Sequence, residues 1–164
     1  MKTLLAAAAL TMLSTAAFAQ ASPQDFAKMA ASGGLYEIQS SEMILKDGSA
    51  SAEVKAFAEQ MVADHTKAGA DLKAAAQKAG VDVPAAPASK EATKLKQLGE
   101  APAAEREKLY LTQQRLAHND AVVLHRAYAA SGTDPNLKAY AEKVVPIMEE
   151  HSTHVDKLQA DMAK

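Results

Sequence analysis

Val54-Lys55-Ala56-Phe57-Ala58-Glu59-Gln60-Met61-Val62 in the first half of the chain aligns without a gap with Leu137-Lys138-Ala139-Tyr140-Ala141-Glu142-Lys143-Val144-Val145 in the second. In both copies the apolar side chains recur at three- and four-residue steps, the spacing that gathers them on one face of a helix. One copy per half predicts a bundle of two related helical hairpins, with the second and fourth helices as counterparts. Alanine-rich amphipathic helices also resemble one another by chance, so the hairpin reading has to agree with the signals that start and stop each helix.

Those signals mark four long helices. Ser22-Pro23-Gln24-Asp25 supplies a capping hydroxyl, a proline at the first helical position and an acidic third position, and Gly48 ends the segment. Ser49 or Ser51 starts the second helix, which runs through Val54, Phe57, Met61, Leu72 and Ala75 to Gly80. Val81-Asp82-Val83-Pro84-Ala85-Ala86-Pro87 cannot continue it and reads as a crossover, followed by a short amphipathic piece near Ser89 to Leu98. Pro102 opens a long helix through Leu109, Leu116, Val123 and Ala130, which Gly132 closes, and Asp134-Pro135 opens the last. The seam of that last helix holds Leu137, Ala141, Val144, Met148, His151, Val155, Leu158 and Met162. Pro146 removes a backbone donor there and is expected to kink it. The predicted fold is all-α, an up-down four-helix bundle of two hairpins with a crossover and a short extra helix between them.

Ahead of the bundle, Met1-Lys2-Thr3, an apolar run over residues 4–13 and Ala17-Phe18-Ala19 before Gln20 carry the charged, apolar and small-residue parts of a secretory signal peptide. Residues 1–19 are the expected leader and residues 22–164 the bundle domain, with a cut after Ala21 as the near alternative. The apolar run is too short to span a bilayer and no later stretch is apolar enough. No cysteine follows to carry a lipid, so the expected location is the periplasm, free or associated with the outer membrane. The chain has no cysteine at all, which leaves any metal to oxygen and nitrogen ligands. Without Lys2, 17 basic residues face 20 acidic ones and no basic stripe appears, which argues against nucleic acid as a partner. Composition singles out no protein partner and no homo-oligomeric state.

Each long helix also carries a polar residue on its apolar stripe. Glu37 lies among Phe26, Ala30, Gly33 and Ile44, His65 between Met61 and Ala68, and His151 between Met148 and Val155. His118 sits beside the stripe Tyr110, Gln114, Ala117, Ala121, Leu124 and Tyr128. A buried polar group without a partner costs about 1 to 3 kcal/mol, so these four need something to meet. At about 1.5 Å per residue from each hairpin's own turn, Glu37 comes out near ~16 Å, His118 near ~21 Å, His65 near ~25 Å and His151 near ~28 Å. A carboxylate and three imidazoles suit one transition ion, Zn, Mn, Fe or Cu, with Asp64 placed to orient an imidazole from behind. The alternative is that each imidazole hydrogen-bonds a neighbouring carboxylate or carbonyl and fixes register without metal. His125 and His154 are expected on the solvated face. Met29, Met43, Met61, Met148 and Met162 are expected in the core.

With that pattern in view, the chain resembles the domain of unknown function 4142 family, a ferritin-like group of exported bacterial proteins. The resemblance rests on Asp25-Phe26 with Gly33-Gly34-Leu35-Tyr36-Glu37, on Val54-Lys55-Ala56-Phe57-Ala58 with Met61-Val62-Ala63-Asp64-His65, and on Tyr110 and His118. Leu137-Lys138-Ala139-Tyr140-Ala141, Val145-Pro146 and His151 complete it. It implies a ferritin-like bundle in the bacterial envelope, in a family sometimes labelled as outer-membrane proteins and without a settled activity. Two departures bear on function: Lys108-Leu109 stands where the family has Phe-Asp before the helix-three tyrosine, and no Glu-x-x-His pair occurs anywhere. Ferritin-like di-iron sites take such a pair from each of two helices, so this chain cannot build one. Nor does it carry a nucleophile elbow, a zincin histidine pair, a phosphate loop or a Cys-His arrangement, which argues against an enzyme. The leading expectation is a periplasmic bundle holding one transition ion for sequestration or stress tolerance. The other is a non-catalytic envelope stress or interaction protein whose buried His and Glu residues are structural.

Overall fold

The structure is a computed structural model that describes residues 21–162, so the predicted signal peptide lies outside the described residues. Five helices follow one another, α1 (Pro23–Asp47), α2 (Ala52–Ala79), α3 (Ser89–Glu100), α4 (Ala103–Ser131) and α5 (Pro135–Met162), and there is no strand among the described residues. Three of the long helices begin where a side chain can accept from the orphan N–H groups of the first turn. Ser22 Oγ accepts from Asp25 N at 3.1 Å, Ser51 Oγ from Val54 N at 3.4 Å, and Asp134 Oδ1 from Asn136 N and Leu137 N at 2.9 Å. Gly48 and Gly80 stop α1 and α2 at φ 72° and 69°, left-handed conformations that a side chain would strain. Gly132 ends α4 for another reason. Its φ is −56°, and a Cβ there would lie 2.5 Å from the Tyr128 carbonyl oxygen. The last helix continues as one piece across Pro146.

Two sets of contacts give the helices their directions. Arg106 pairs with Asp47 at 2.7 Å, and Glu107 accepts from both the backbone N and the hydroxyl of Ser51, which ties the α1–α2 turn to the start of α4. At the other end the Phe26 ring stacks on Tyr128 at 3.9 Å, and Gln24 exchanges two hydrogen bonds with the backbone of Asp82. So α1 and α5 run one way, α2 and α4 the other, and the two hairpin turns lie at opposite ends of the bundle. The hairpins α1–α2 and α4–α5 meet along α2–α5 and α1–α4, while α3 lies against α1 and α4. From Ala88, whose N–H donates to Ser32, α3 climbs to Leu98 in the cluster around Ile44 and returns the chain to the end where α4 must start. This is the single long crossover of a ferritin-like bundle.

The core is split. One apolar cluster gathers Phe26, Leu72, Tyr128, Leu137, Tyr140 and Met148, and the other Ile44, Val54, Phe57, Met61, Tyr110 and Leu158. Phe57 and Tyr140, equivalent in the sequence repeat, therefore anchor opposite ends, as a two-fold axis across the bundle requires. Between the clusters lies the polar layer that holds the candidate site.

Four expectations change. His125 is 4% exposed, not solvated, and stands edge-on to Phe26 at 5.4 Å. His154 is half-buried, edge-on to Phe57 at 5.0 Å. Met29 and Met162 are exposed at 46% and 48% rather than packed in the core. On α4 the residues Leu116 and Val123 face outward, at 48% and 70% exposure, because the inward face is the polar one with Gln113, Gln114, His118 and His125. Among the described residues no helix is long and apolar enough to cross a membrane.

Candidate metal centre

His65 from α2, His118 from α4 and His151 from α5 meet in the polar layer, all three buried. One ring nitrogen from each lies within 4.8 Å of the others. Their ring centroids are 5.3 to 5.7 Å apart. Helical spacing explains why each points inward: His65 follows Met61 and Ala58 on the buried stripe of α2, and His151 falls between Met148 and Val155 on that of α5.

Hydrogen bonds to the outer nitrogens decide what the inner ones can do. A carbonyl can only accept, so His118 Nδ1–H donates to Gln114 O at 2.9 Å, and the Nε2 lone pair is left free. His151 Nε2–H donates to Asp64 Oδ2 at 3.0 Å, which leaves the Nδ1 lone pair. His118 Nε2, His151 Nδ1 and His65 Nε2 are buried and have no hydrogen-bond partner in the protein. Burial pushes all three rings below the ordinary histidine range, His65 well below and His118 to about 4, and their mutual repulsion adds to the effect at His65. At neutral pH they are therefore uncharged, each with a lone pair available to a Lewis acid.

The carboxylates take separate positions. Asp64 stands behind His151, in the orienting role that a carboxylate has behind many metal-bound imidazoles. Glu37 is buried, with Oε1 3.9 Å from His118 Nδ1, so it stands on the outer side of that ring and outside the three-imidazole group. Burial raises its carboxyl to about 8, and its Oε2 has no partner. Around it Gln114 Nε2 donates to Ser40 Oγ at 3.0 Å, and Ser41 and Tyr110 share a hydroxyl hydrogen bond at 2.8 Å. His125 lies in the same wall further along α4, with Nδ1–H donating to Ala121 O and Nε2 unpartnered. The alternation of Gln114, His118, Ala121 and His125 at three- and four-residue steps was the signal that could have placed it inward.

Fold and site together define a class: a ferritin-like helical bundle whose middle is a buried three-histidine cluster that could bind a metal. The chain belongs to the family described as domain of unknown function (DUF4142), whose model matches residues 7–158. Neither the curated proteins nor the solved structures include a match to it.

Proposed function

We propose that this is a periplasmic metal-binding protein that holds one transition ion between His65, His118 and His151, for sequestration or tolerance of metal stress. The observation that carries the reading is the set of three buried, uncharged imidazoles whose inward nitrogens have no partner. Nitrogens around a tetrahedral ion at about 2.1 Å sit about 3.4 Å apart, so closing from within 4.8 Å needs movements of less than about 1 Å at each ring. An all-imidazole set suits Zn, Cu or Fe better than Mn, which prefers oxygen donors. Asp64 accepts from His151 on the side away from the cluster, and the buried Glu37 carboxyl lies 3.9 Å from His118 Nδ1. The secretory leader read from residues 1–19 supports export to the periplasm, where the absence of cysteine is no handicap to an imidazole site.

Titration of the chelator-stripped protein with Zn or Cu, followed by elemental analysis, is expected to show one ion per chain with a Kd well below about 1 mM. His65→Ala combined with His151→Ala should abolish uptake while the helical circular dichroism persists, and unchanged uptake in that variant removes the proposal. Asp64→Ala is expected to weaken binding roughly 10- to 100-fold without abolishing it, because it frees the His151 ring to turn and lowers its basicity. Competition titration against a chelator measures this. A loss below about threefold would show that Asp64 does not act on the ion through His151.

The rival reading, an envelope stress or interaction protein with structural imidazoles, is favoured by the outer hydrogen bonds of His118 and His151, which would hold register without metal. It leaves the three inward nitrogens unexplained.

A further inference from the structure

Beside the histidine cluster, and walled from it by His65, the bundle contains a cavity of about 900 Å³. It follows α1 past Gly33 and Gly34, and is closed by α2 at Gly69 and Leu72, by the crossover at Val83, and by α4 from Ala117 to His125. That volume lies within the roughly 300–1,000 Å³ of small-molecule sites. Two glycines line it at positions that have room for a side chain. A Cβ at Gly33 or Gly69 would meet no atom within 4 Å, so neither close packing nor a turn calls for glycine there, although glycine in a helix interior costs about 1 kcal/mol against alanine.

The wall has three kinds of chemistry. It is mainly apolar and carries the rings of Tyr36, Tyr140, His65 and His125, and the exposed side chains Met29 and Val123 stand at its rim. Three lining residues present buried polar atoms without a partner: His65 Nε2, which belongs to the histidine cluster, His125 Nε2 and Glu37 Oε2. Since His125 Nδ1–H is committed to Ala121 O, its Nε2 can only accept. Besides the imidazoles, the ionisable residues in the wall are four lysines, Glu91, Asp120 and the buried Glu37. Lys90 pairs with Asp120 at 3.0 Å and Glu91 accepts from Ser32, whereas no ion pair is formed by Lys28 or Lys73 among the described residues. On a chain of net negative charge this leaves a locally positive mouth.

We infer that the cavity is a binding site for a small hydroxylated aromatic acid, its ring among the aromatic and aliphatic side chains, its hydroxyl donating to His125 Nε2 and its carboxylate at Lys28 and Lys73. An apolar body fits the walls, a donor fits the acceptor-only His125 Nε2, and an anion fits the two unpaired ammonium groups. Binding is non-covalent and does not require the metal site to be filled.

Isothermal titration of the chelator-stripped protein with 4-hydroxycinnamate tests this independently of metal uptake. The compound is expected to bind, and cinnamate, which lacks the hydroxyl, about tenfold more weakly, as loss of a hydrogen bond to a buried acceptor implies. 4-Ethylphenol, which lacks the carboxylate, should also bind more weakly and lose its advantage over ethylbenzene in His125→Phe. Gly33→Leu, which fills the cavity and favours helix, should cut 4-hydroxycinnamate affinity at least tenfold while leaving thermal stability equal or higher. No binding of 4-hydroxycinnamate, equal binding of cinnamate, or undiminished binding by a folded Gly33→Leu each overturns the assignment.

Discussion

Stripped of metal, the protein is expected to lose folding stability as the pH falls from about 6.5 to about 4. The histidines of the polar layer are the cause. In the unfolded chain they take up protons near the ordinary value of 6.5, whereas burial holds His118 neutral down to about 4 and lowers His65, His151 and His125 as well. Each folded value is depressed, so the contribution is fully present above 6.5 and disappears as the pH drops towards the folded value. At about 1.4 kcal/mol per pH unit, His118 alone accounts for roughly 3 kcal/mol. Glu37 acts in the opposite sense. Its folded value is raised from 4.5 to about 8, so it favours the fold fully below 4.5 and loses that contribution as the pH rises to 8. Between 4.5 and 6.5 one carboxyl opposes several imidazoles and the net slope remains upward with pH. Above 6.5 the Glu37 contribution dominates, and the slope reverses. Urea midpoints measured in chelator should therefore peak near pH 6.5 and fall more steeply on the acid side. A flat profile between pH 6.5 and 4.5 would show that the imidazoles reach solvent and would count against a closed centre. Bound metal should flatten the acid limb, because the ion competes with protons for the same lone pairs.

Three residues of the polar layer are legible in the sequence to different degrees. His65 and His151 lie on stripes of Met, Ala and Val at unbroken three- and four-residue steps, so helical period alone turned them inward. His118 needed more, because α4 presents a second and more apolar line through Leu116 and Val123 that faces solvent in the fold. Burial on α4 is decided by its neighbours: Tyr110 and Tyr128 anchor the two end clusters, and whatever lies between them on that face goes inward, His125 included. The axial heights agree with the meeting of the three imidazoles although they are counted from turns at opposite ends. Residues near the middle of a helix have nearly the same height counted from either end. The repeat already implied this reversal, since two copies related by an axis across the bundle must put Phe57 and Tyr140 at opposite ends. Ligand membership was beyond periodicity altogether: Glu37 and His118 are neighbours by height, yet which ring nitrogen faces the cluster and which faces Glu37 follows from the bond to Gln114 O.

Replacing the cluster outright, with His65→Leu, His118→Leu and His151→Leu together, is expected to raise the stability of the metal-free protein at pH 7 by about 1 to 4 kcal/mol. The three inward nitrogens are buried without a partner in the protein, and each such group costs about 1 to 3 kcal/mol relative to an apolar side chain of similar size. Leucine would also join the Phe26 and Phe57 clusters into one continuous core. Asp64 would lose its His151 partner, but its side chain is 38% exposed and can turn to solvent. The variant should take up no metal and should lose most of the acid sensitivity of its parent, with His125 left to titrate. The parent loaded with metal at a thousand times its Kd gains about 4 kcal/mol and should overtake the variant. The order of urea midpoints is then metal-free parent, leucine variant, loaded parent. That order would mean the bundle keeps a destabilising centre whose cost a bound ion offsets. A register-fixing polar network can also cost stability, so it is the loaded parent overtaking the variant that marks a metal-binding site. A leucine variant less stable than the metal-free parent would reverse the conclusion, since the imidazoles would then be holding the middle of the bundle together without an ion.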